Sequence, residues 1–182
     1  MSRKPLLLLI AILLLSQLAF AQTAEPVTTV FLVRHAERAE EPRQDPPLTE
    51  KGTARSQELA RLLSNAGIKA IYTSQFTRTK STAEPLAKQL GITPTTQTLR
   101  SNPSNLRLIA EDSTKETVEK ILSHAGGSVL VVGHSNSIPD VIKMLGGDVA
   151  PTIDEKEFND LFIVTVYAKG KAKVTHLKYG GA

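Results

Sequence analysis

Two of the four histidines occupy equivalent places along the chain. His35 follows the apolar run Val30-Phe31-Leu32-Val33 with Arg34 between, and His134 follows Val129-Leu130-Val131-Val132 with Gly133 between. A loop histidine is ordinarily a solvated side chain. Two of them beyond matching β-branched runs converge on one sheet edge if those runs are parallel strands, because ligands sit at the carboxyl ends of such strands. Arginine is the second ingredient. Arg34 adjoins His35, and Arg78 opens the helical pattern that follows the short run 70–73. Each guanidinium offers a planar fork of donors that fits an oxyanion. A cation at a helix start is opposed by the helix dipole, which favours a ligand role for Arg78 over a solvated one. Backbone N–H groups of the helix after Gln75 reach the same edge. This set suits a phosphoryl group, whose transfer is mostly positioning and charge stabilisation. An imidazole nitrogen can attack in line and give a covalent phosphoenzyme that water hydrolyses. The design calls for no metal and no cofactor. The other two histidines fit structural places: His124 at a helix C-terminus, where a cation is favourable, and His176 in a late strand.

Expelling an alkoxide also needs a proton donor, normally a carboxyl whose pKa is raised. By loop position Glu37, Asp45 and Glu111 are the candidates. The acidic stretch from Ile153-Asp154-Glu155 to Asp160 reads first as a solvated loop, with bordering the pocket as the second reading. Without any strong acid the site would suit good leaving groups, such as the imidazole of phosphohistidine or an acyl phosphate.

The elements that must position these residues alternate. Val27 to Val33 predicts a buried strand. A Pro-rich loop, Glu37 to Pro47, leads to Thr49 as N-cap of a helix to about Asn65, with Leu59, Leu62, Leu63 and Ala66 on one face and Gly67 at its end. Ala70 to Thr73 is a second strand. Thr79, Thr82, Ala83, Leu86, Ala87 and Leu90 form a helical stripe closed by Gly91. Pro85 within it predicts a kink, or a regular helix that starts near Thr82. Thr93 to Leu99 predicts a third strand, Arg100 to Ser113 carries little pattern, and Thr114 to His124 predicts a helix. Ser128 to Val132 is the clearest buried strand and Ile138 to Leu145 a helix. Leu161 to Ala168 and Ala172 to Lys178 predict a hairpin turning at Lys169-Gly170. The order argues for an α/β domain, a three-layer αβα sandwich with a mostly parallel central sheet.

Composition narrows the function classes. The chain has 182 residues and no cysteine, which excludes thiol nucleophiles, Cys-ligated metals, disulfides and lipid attachment at a cysteine. Arg3 and Lys4, the apolar run Leu6 to Leu15 and Ala19-Phe20-Ala21 read as a cleavable export signal over 1–21, shorter than the roughly 20 apolar residues of a spanning helix, with an uncleaved membrane anchor as the alternative reading. Residues 22–26 then form a disordered lead-in and 27–182 the domain. Losing Arg3 and Lys4 lowers the formal net charge from +4 to about +2. So weak a balance, with aromatic content of 4%, argues against nucleic acid and against stable membrane association once the signal is gone. The expected location is periplasmic or secreted.

Val33-Arg34-His35-Ala36-Glu37 resembles the R-H-G/A signature of the histidine phosphatase superfamily, branch 1, which includes the phosphoglycerate mutases. Pro47-Leu48-Thr49-Glu50-Lys51-Gly52 is similar to its L-T-x-x-G helix start. Tyr72-Thr73-Ser74-Gln75-Phe76-Thr77-Arg78-Thr79 with Thr82-Ala83 resembles its S-x-x-x-R-x-x-x-T-A segment, and Val132-Gly133-His134-Ser135-Asn136 its second-histidine block. The resemblance implies a phosphoglycerate mutase-like fold, His35 as phosphorylated nucleophile, a phosphate pocket of Arg34, Arg78 and His134, and Ser135 and Asn136 as neighbours. The short chain is similar to small members that hydrolyse phosphomonoesters or phosphohistidine on small substrates or phosphoproteins. A phosphate-binding module that has lost turnover is the alternative, and a phosphomutase is disfavoured by size. The chain departs from the family at the acid. The mutase-like glutamate after the third strand is absent from Thr98-Leu99-Arg100-Ser101-Asn102-Pro103, and Ser135 stands where the phytase-like aspartate follows the second histidine.

Overall fold

The computed structural model describes residues 26–149 and 151–180; the segment expected to be an export signal and most of the expected lead-in lie outside them. Among the described residues eight strands and four helices follow in order. They are β1 (Thr28–Arg34), α1 (Glu50–Leu63), β2 (Ile68–Ser74), α2 (Thr77–Leu90), β3 (Thr95–Gln97), β4 (Ser101–Asn102), β5 (Asn105–Ile109), α3 (Glu111–Leu122), β6 (Ser128–Gly133), α4 (Ile138–Met144), β7 (Asp160–Ala168) and β8 (Lys171–Lys178). Six strands form one sheet in the order β3-β2-β6-β1-β7-β8. The first four run parallel, β7 pairs antiparallel with β1, and β8 with β7.

Alternate residues of the central strands face opposite layers, as a strand's two-residue period requires. Val30 and Leu32 of β1 join Val129 and Val131 of β6 in a core closed by Val118 and Ile121 of α3 and by Ile138 and Ile142 of α4. Phe31, Val33, Leu130 and Val132 point the other way, against Leu59 and Leu63 of α1 and Ala83 and Leu86 of α2. The result is the expected αβα sandwich with a mostly parallel sheet. At its carboxyl edge the β1 and β6 ends lie side by side, with Arg34 opposite Gly133.

Three departures from the sequence expectations have physical causes. Helix α2 runs unbroken from Thr77 through Pro85 to Leu90, rather than starting near Thr82. Proline withholds one N–H from the Ser81 carbonyl, while packing of Thr79, Thr82, Ala83 and Leu86 holds the first turns. Helix α3 starts at Glu111, three residues early, because the Asp112 carboxylate accepts from Ser113 N (2.8 Å) at its first turn, where an anion suits the dipole. The weakly patterned stretch is a small hairpin, β4–β5, that pairs only with itself. Its Leu106 is 77% exposed, so no core periodicity marks it, and the third strand shrinks to Thr95–Gln97.

Gly52, in the first turn of α1, has a packing reason. A Cβ there would stand 2.1 Å from the carbonyl oxygen of Glu37, so only glycine lets the loop after His35 lie on the start of α1.

Candidate active site

The pairing of β1 with β6 places the two histidines. The His35 amide donates to the Gly133 carbonyl (3.0 Å), and the two imidazole rings lie 5.3 Å apart at 64°. Both side chains are buried. His35 Nδ1 lies 2.8 Å from the Ala36 carbonyl oxygen. A carbonyl can only accept, so Nδ1 carries the proton and a neutral ring keeps its lone pair at Nε2. Burial, with Arg34, Arg78 and Arg38 nearby, pulls His35 down to a pKa of about 3. Burial also brings His134 to about 3, with His35, Arg78 and Arg34 adding repulsion. Both rings are therefore neutral at physiological pH.

The second histidine is braced from β2. Its Nε2 lies 2.8 Å from Ser74 Oγ, which in turn lies 2.9 Å from Thr79 Oγ1 on α2. Its amide donates to Ser137 Oγ (2.9 Å). Thr82 on α2 ties the first histidine's loop in the same way, accepting from Ala36 N (2.9 Å) and donating to the Arg78 carbonyl (2.7 Å). Helix α2 thus holds both histidine loops.

Arg34 and Arg78 flank the pair. Arg34 Nη1 donates to the Asp154 (2.9 Å) and Glu157 (3.1 Å) carbonyls. The Arg34 guanidinium lies 4.3 Å from the Phe158 ring centre, and that of Arg78 4.2 Å from the Phe76 ring centre. Neither Nε–H has an acceptor, although both nitrogens are buried. Burial lowers the pKa of both arginines without threatening their charge. Buried, unspent donors are costly, and two of them beside two neutral imidazoles make a receptor for an oxyanion. Arg34, His35, Arg78 and His134 line one cavity of about 860 Å³, whose outer wall includes Leu106 and Ile109 of the β4–β5 hairpin.

The carboxyl candidates separate. Glu37 is corrected to a structural role: its two oxygens accept from Arg55 Nε (2.9 Å) and Nη2 (2.8 Å). Burial would raise its pKa, but the Arg55 bonds overcome this and hold it below the ordinary value, the opposite of what a proton donor needs. Glu111 is corrected too. It opens α3, is exposed, and borders a separate cavity with Asp140 and Lys143. Asp45 lies nearer, accepting from Thr77 N (2.9 Å) and Thr77 Oγ1 (2.7 Å), with Arg78 Nη1 at 3.8 Å; it caps α2 and steadies Arg78. Of the two readings of the acidic stretch, the structure takes the second at one residue, since Glu155 lines the His35 cavity.

Ser135 and Asn136 line the cavity as anticipated. Arg38, Gln75, Phe76, Phe158 and the β4–β5 wall were not singled out. Arg38 had a readable signal, a second arginine four positions after Arg34. Phe158 had none, because 124 positions separate it from Arg34 and only the return of the chain along β7 brings it back. His124 and His176 bond away from the site, to the Tyr72 hydroxyl (2.8 Å) and the Asp160 carboxylate (2.6 Å). Among the described residues no group of three or more His, Cys, Asp or Glu is placed to hold a metal ion. No helix of those residues is long and apolar enough to cross a membrane.

This architecture is the phosphoglycerate mutase-like α/β fold. Residues 30–100 match the family model of the histidine phosphatase superfamily, branch 1. No curated protein matches the chain. Among solved structures, the protein histidine phosphatase SixA complexed with tungstate is 19% identical, with 82% of this chain and 96% of that one covered and a TM-score of 0.63. A phosphoglycerate mutase from Bacillus anthracis is also 19% identical, over 86% and 95% of the chains, at 0.63. A mycobacterial glucosyl-3-phosphoglycerate phosphatase is 14% identical, over 86% and 100%, at 0.64. At such identities the likeness is one of fold.

Proposed function

We propose that this protein is an exported phosphatase that hydrolyses phosphomonoesters or phosphohistidine, without a metal ion, through a phosphohistidine intermediate on His35. One observation carries the reading: a buried, neutral His35 whose Nδ1–H donates to the Ala36 carbonyl and whose lone pair is at Nε2, beside two arginines whose Nε–H groups are unspent. In this mechanism Arg34, Arg78 and His134 bind the phosphate oxygens. With its Nε2 engaged by Ser74, His134 has Nδ1 left for the ligand. Nε2 of His35 attacks phosphorus in line, the P–O bond to the leaving group breaks, and water then cleaves the P–N bond to release phosphate. The guanidinium charges do the stabilising that a metal does elsewhere. The tungstate in the SixA structure is a tetrahedral oxyanion of the kind such a pocket would take. Export rests on the segment Arg3 to Ala21.

The test is turnover of a panel of phosphomonoesters and phosphohistidine, with and without EDTA, by the wild type and His35→Ala. The expected result is EDTA-resistant hydrolysis, with an acid-labile phosphoenzyme, that the substitution abolishes. Phosphate binding without turnover of any substrate would instead make the protein a binding module, and loss of activity on chelation would sink the metal-free mechanism. Cell fractionation with N-terminal sequencing should find a chain beginning at Gln22 outside the cytoplasm; an intact Met1 within it would overturn export.

A further inference from the structure

We infer that Glu155 is the proton donor to the leaving group, an assignment that rests on the phosphatase reading above. Among the described carboxyl side chains it is the one that lines the His35 cavity. Glu37 and Asp45 are committed to Arg55 and to the Thr77–Arg78 turn, and Glu111 borders a different cavity. The neighbouring Asp154 turns its carboxylate back onto Lys156 N (2.7 Å). The Glu155 carboxylate makes no hydrogen bond or ion pair with the described residues, yet its charge acts on Arg34.

Its position is set by the site itself. Arg34 Nη1 holds the carbonyls of Asp154 and Glu157, which bracket Glu155 in sequence. Phe158 sits on the Arg34 guanidinium and 5.9 Å from the His35 ring. The guanidinium that grips phosphate therefore also anchors the loop that carries the acid.

The step balances as follows. His35 Nε2 forms a bond to phosphorus, the P–O bond to the leaving oxygen breaks, and that oxygen takes the proton of the Glu155 carboxyl, which becomes a carboxylate. In the second half the carboxylate takes a proton from water while the water oxygen attacks phosphorus. The P–N bond then breaks, leaving inorganic phosphate, a neutral His35 and a protonated Glu155.

Glu155→Gln removes the transferable proton at an exposed position, and an unchanged circular dichroism spectrum and melting temperature would show the fold intact. The experiment compares kcat/KM, which reports the first half-reaction, for wild type and Glu155→Gln on aryl and alkyl phosphates of rising leaving-group pKa. The loss should grow along the series, from a few-fold for p-nitrophenyl phosphate to about 100-fold or more for alkyl phosphates. A uniform loss, or none, with wild type active throughout would overturn the assignment while leaving the phosphatase reading standing. A wild type inactive even on p-nitrophenyl and acetyl phosphates would sink both.

Discussion

Arg55 and Arg34 are buried to the same degree, 7% and 6% exposed, yet they sit in opposite electrostatic settings. Arg55 spends every nitrogen: Nε and Nη2 on the Glu37 carboxylate, Nη1 on the Tyr179 (3.1 Å) and Gly180 (3.3 Å) carbonyls. The Glu37 hydrogen bonds raise its pKa. Arg34, like Arg78, keeps a buried Nε–H with no acceptor, and burial lowers its pKa. Burial alone therefore does not tell a structural arginine from a functional one. What separates them is whether the donors are already used, since a buried polar group without a partner calls for an explanation, and beside two imidazoles in one cavity a bound oxyanion supplies it.

The largest break in that comparison should come from truncation. Arg34→Ala and Arg78→Ala should each lower kcat/KM by about 10²–10³ and abolish the stabilisation that added inorganic phosphate gives the wild type, which is about 2.7 kcal/mol at 100 times Kd. Arg55→Ala should do the reverse. It leaves Glu37 without its partner and should cost on the order of 3 kcal/mol in urea unfolding while keeping the phosphate-induced shift. If Arg55→Ala lost phosphate binding and kept its stability, the distinction would be wrong.

The pH dependence of stability sharpens the same contrast. His35 and His134 titrate near 3 when folded and near 6.5 in an unfolded chain. Between those values the unfolded state binds more protons, so stability rises with pH and is lost as pH falls from about 6.5 toward 3. Urea midpoints should drop across that window, with a shallower slope in His35→Asn. NMR of the unliganded protein should find both rings still neutral at pH 5; a midpoint near 6.5 for either would refute the buried, neutral pair.

The smallest effect is expected at Asp45. Asp45→Asn removes an exposed charge 3.8 Å from Arg78 and keeps an acceptor for Thr77. A surface pair contributes about 0.2–1 kcal/mol, so phosphate affinity should change by no more than about fivefold in calorimetry. A larger change would place Asp45 in the binding machinery.

Much of this was legible along the chain. The runs 30–33 and 129–132 specify buried strands because β-branched residues apolar on both faces have no other stable place, and the histidines after them then share an edge. Arg78 was legible because a cation at a helix start conflicts with the dipole. The β4–β5 hairpin was not, because its apolar residues face solvent and the cavity, so no burial period marks them. Nor was the assignment of the carboxyls. Glu37, two residues from His35, was the natural candidate by proximity, but that loop folds its side chain onto Arg55 of α1.

The sequence alone determined the layered α/β fold, the pair of histidines at strand ends and two arginines suited to phosphate, because these depend on local periodicity and residue chemistry. The tertiary structure decided which arginines keep free donors, which nitrogen of His35 holds the lone pair and which carboxyl faces the cavity. The His35 lone pair is set by the adjacent Ala36 carbonyl once the turn after β1 brings it to the ring, whereas the arginine donors and the carboxyl depend on partners far away in sequence: Arg34 meets Asp154, Glu157 and Phe158 only when β7 returns beside β1. Chain periodicity carries no record of that meeting, because it is set by how the finished layers pack.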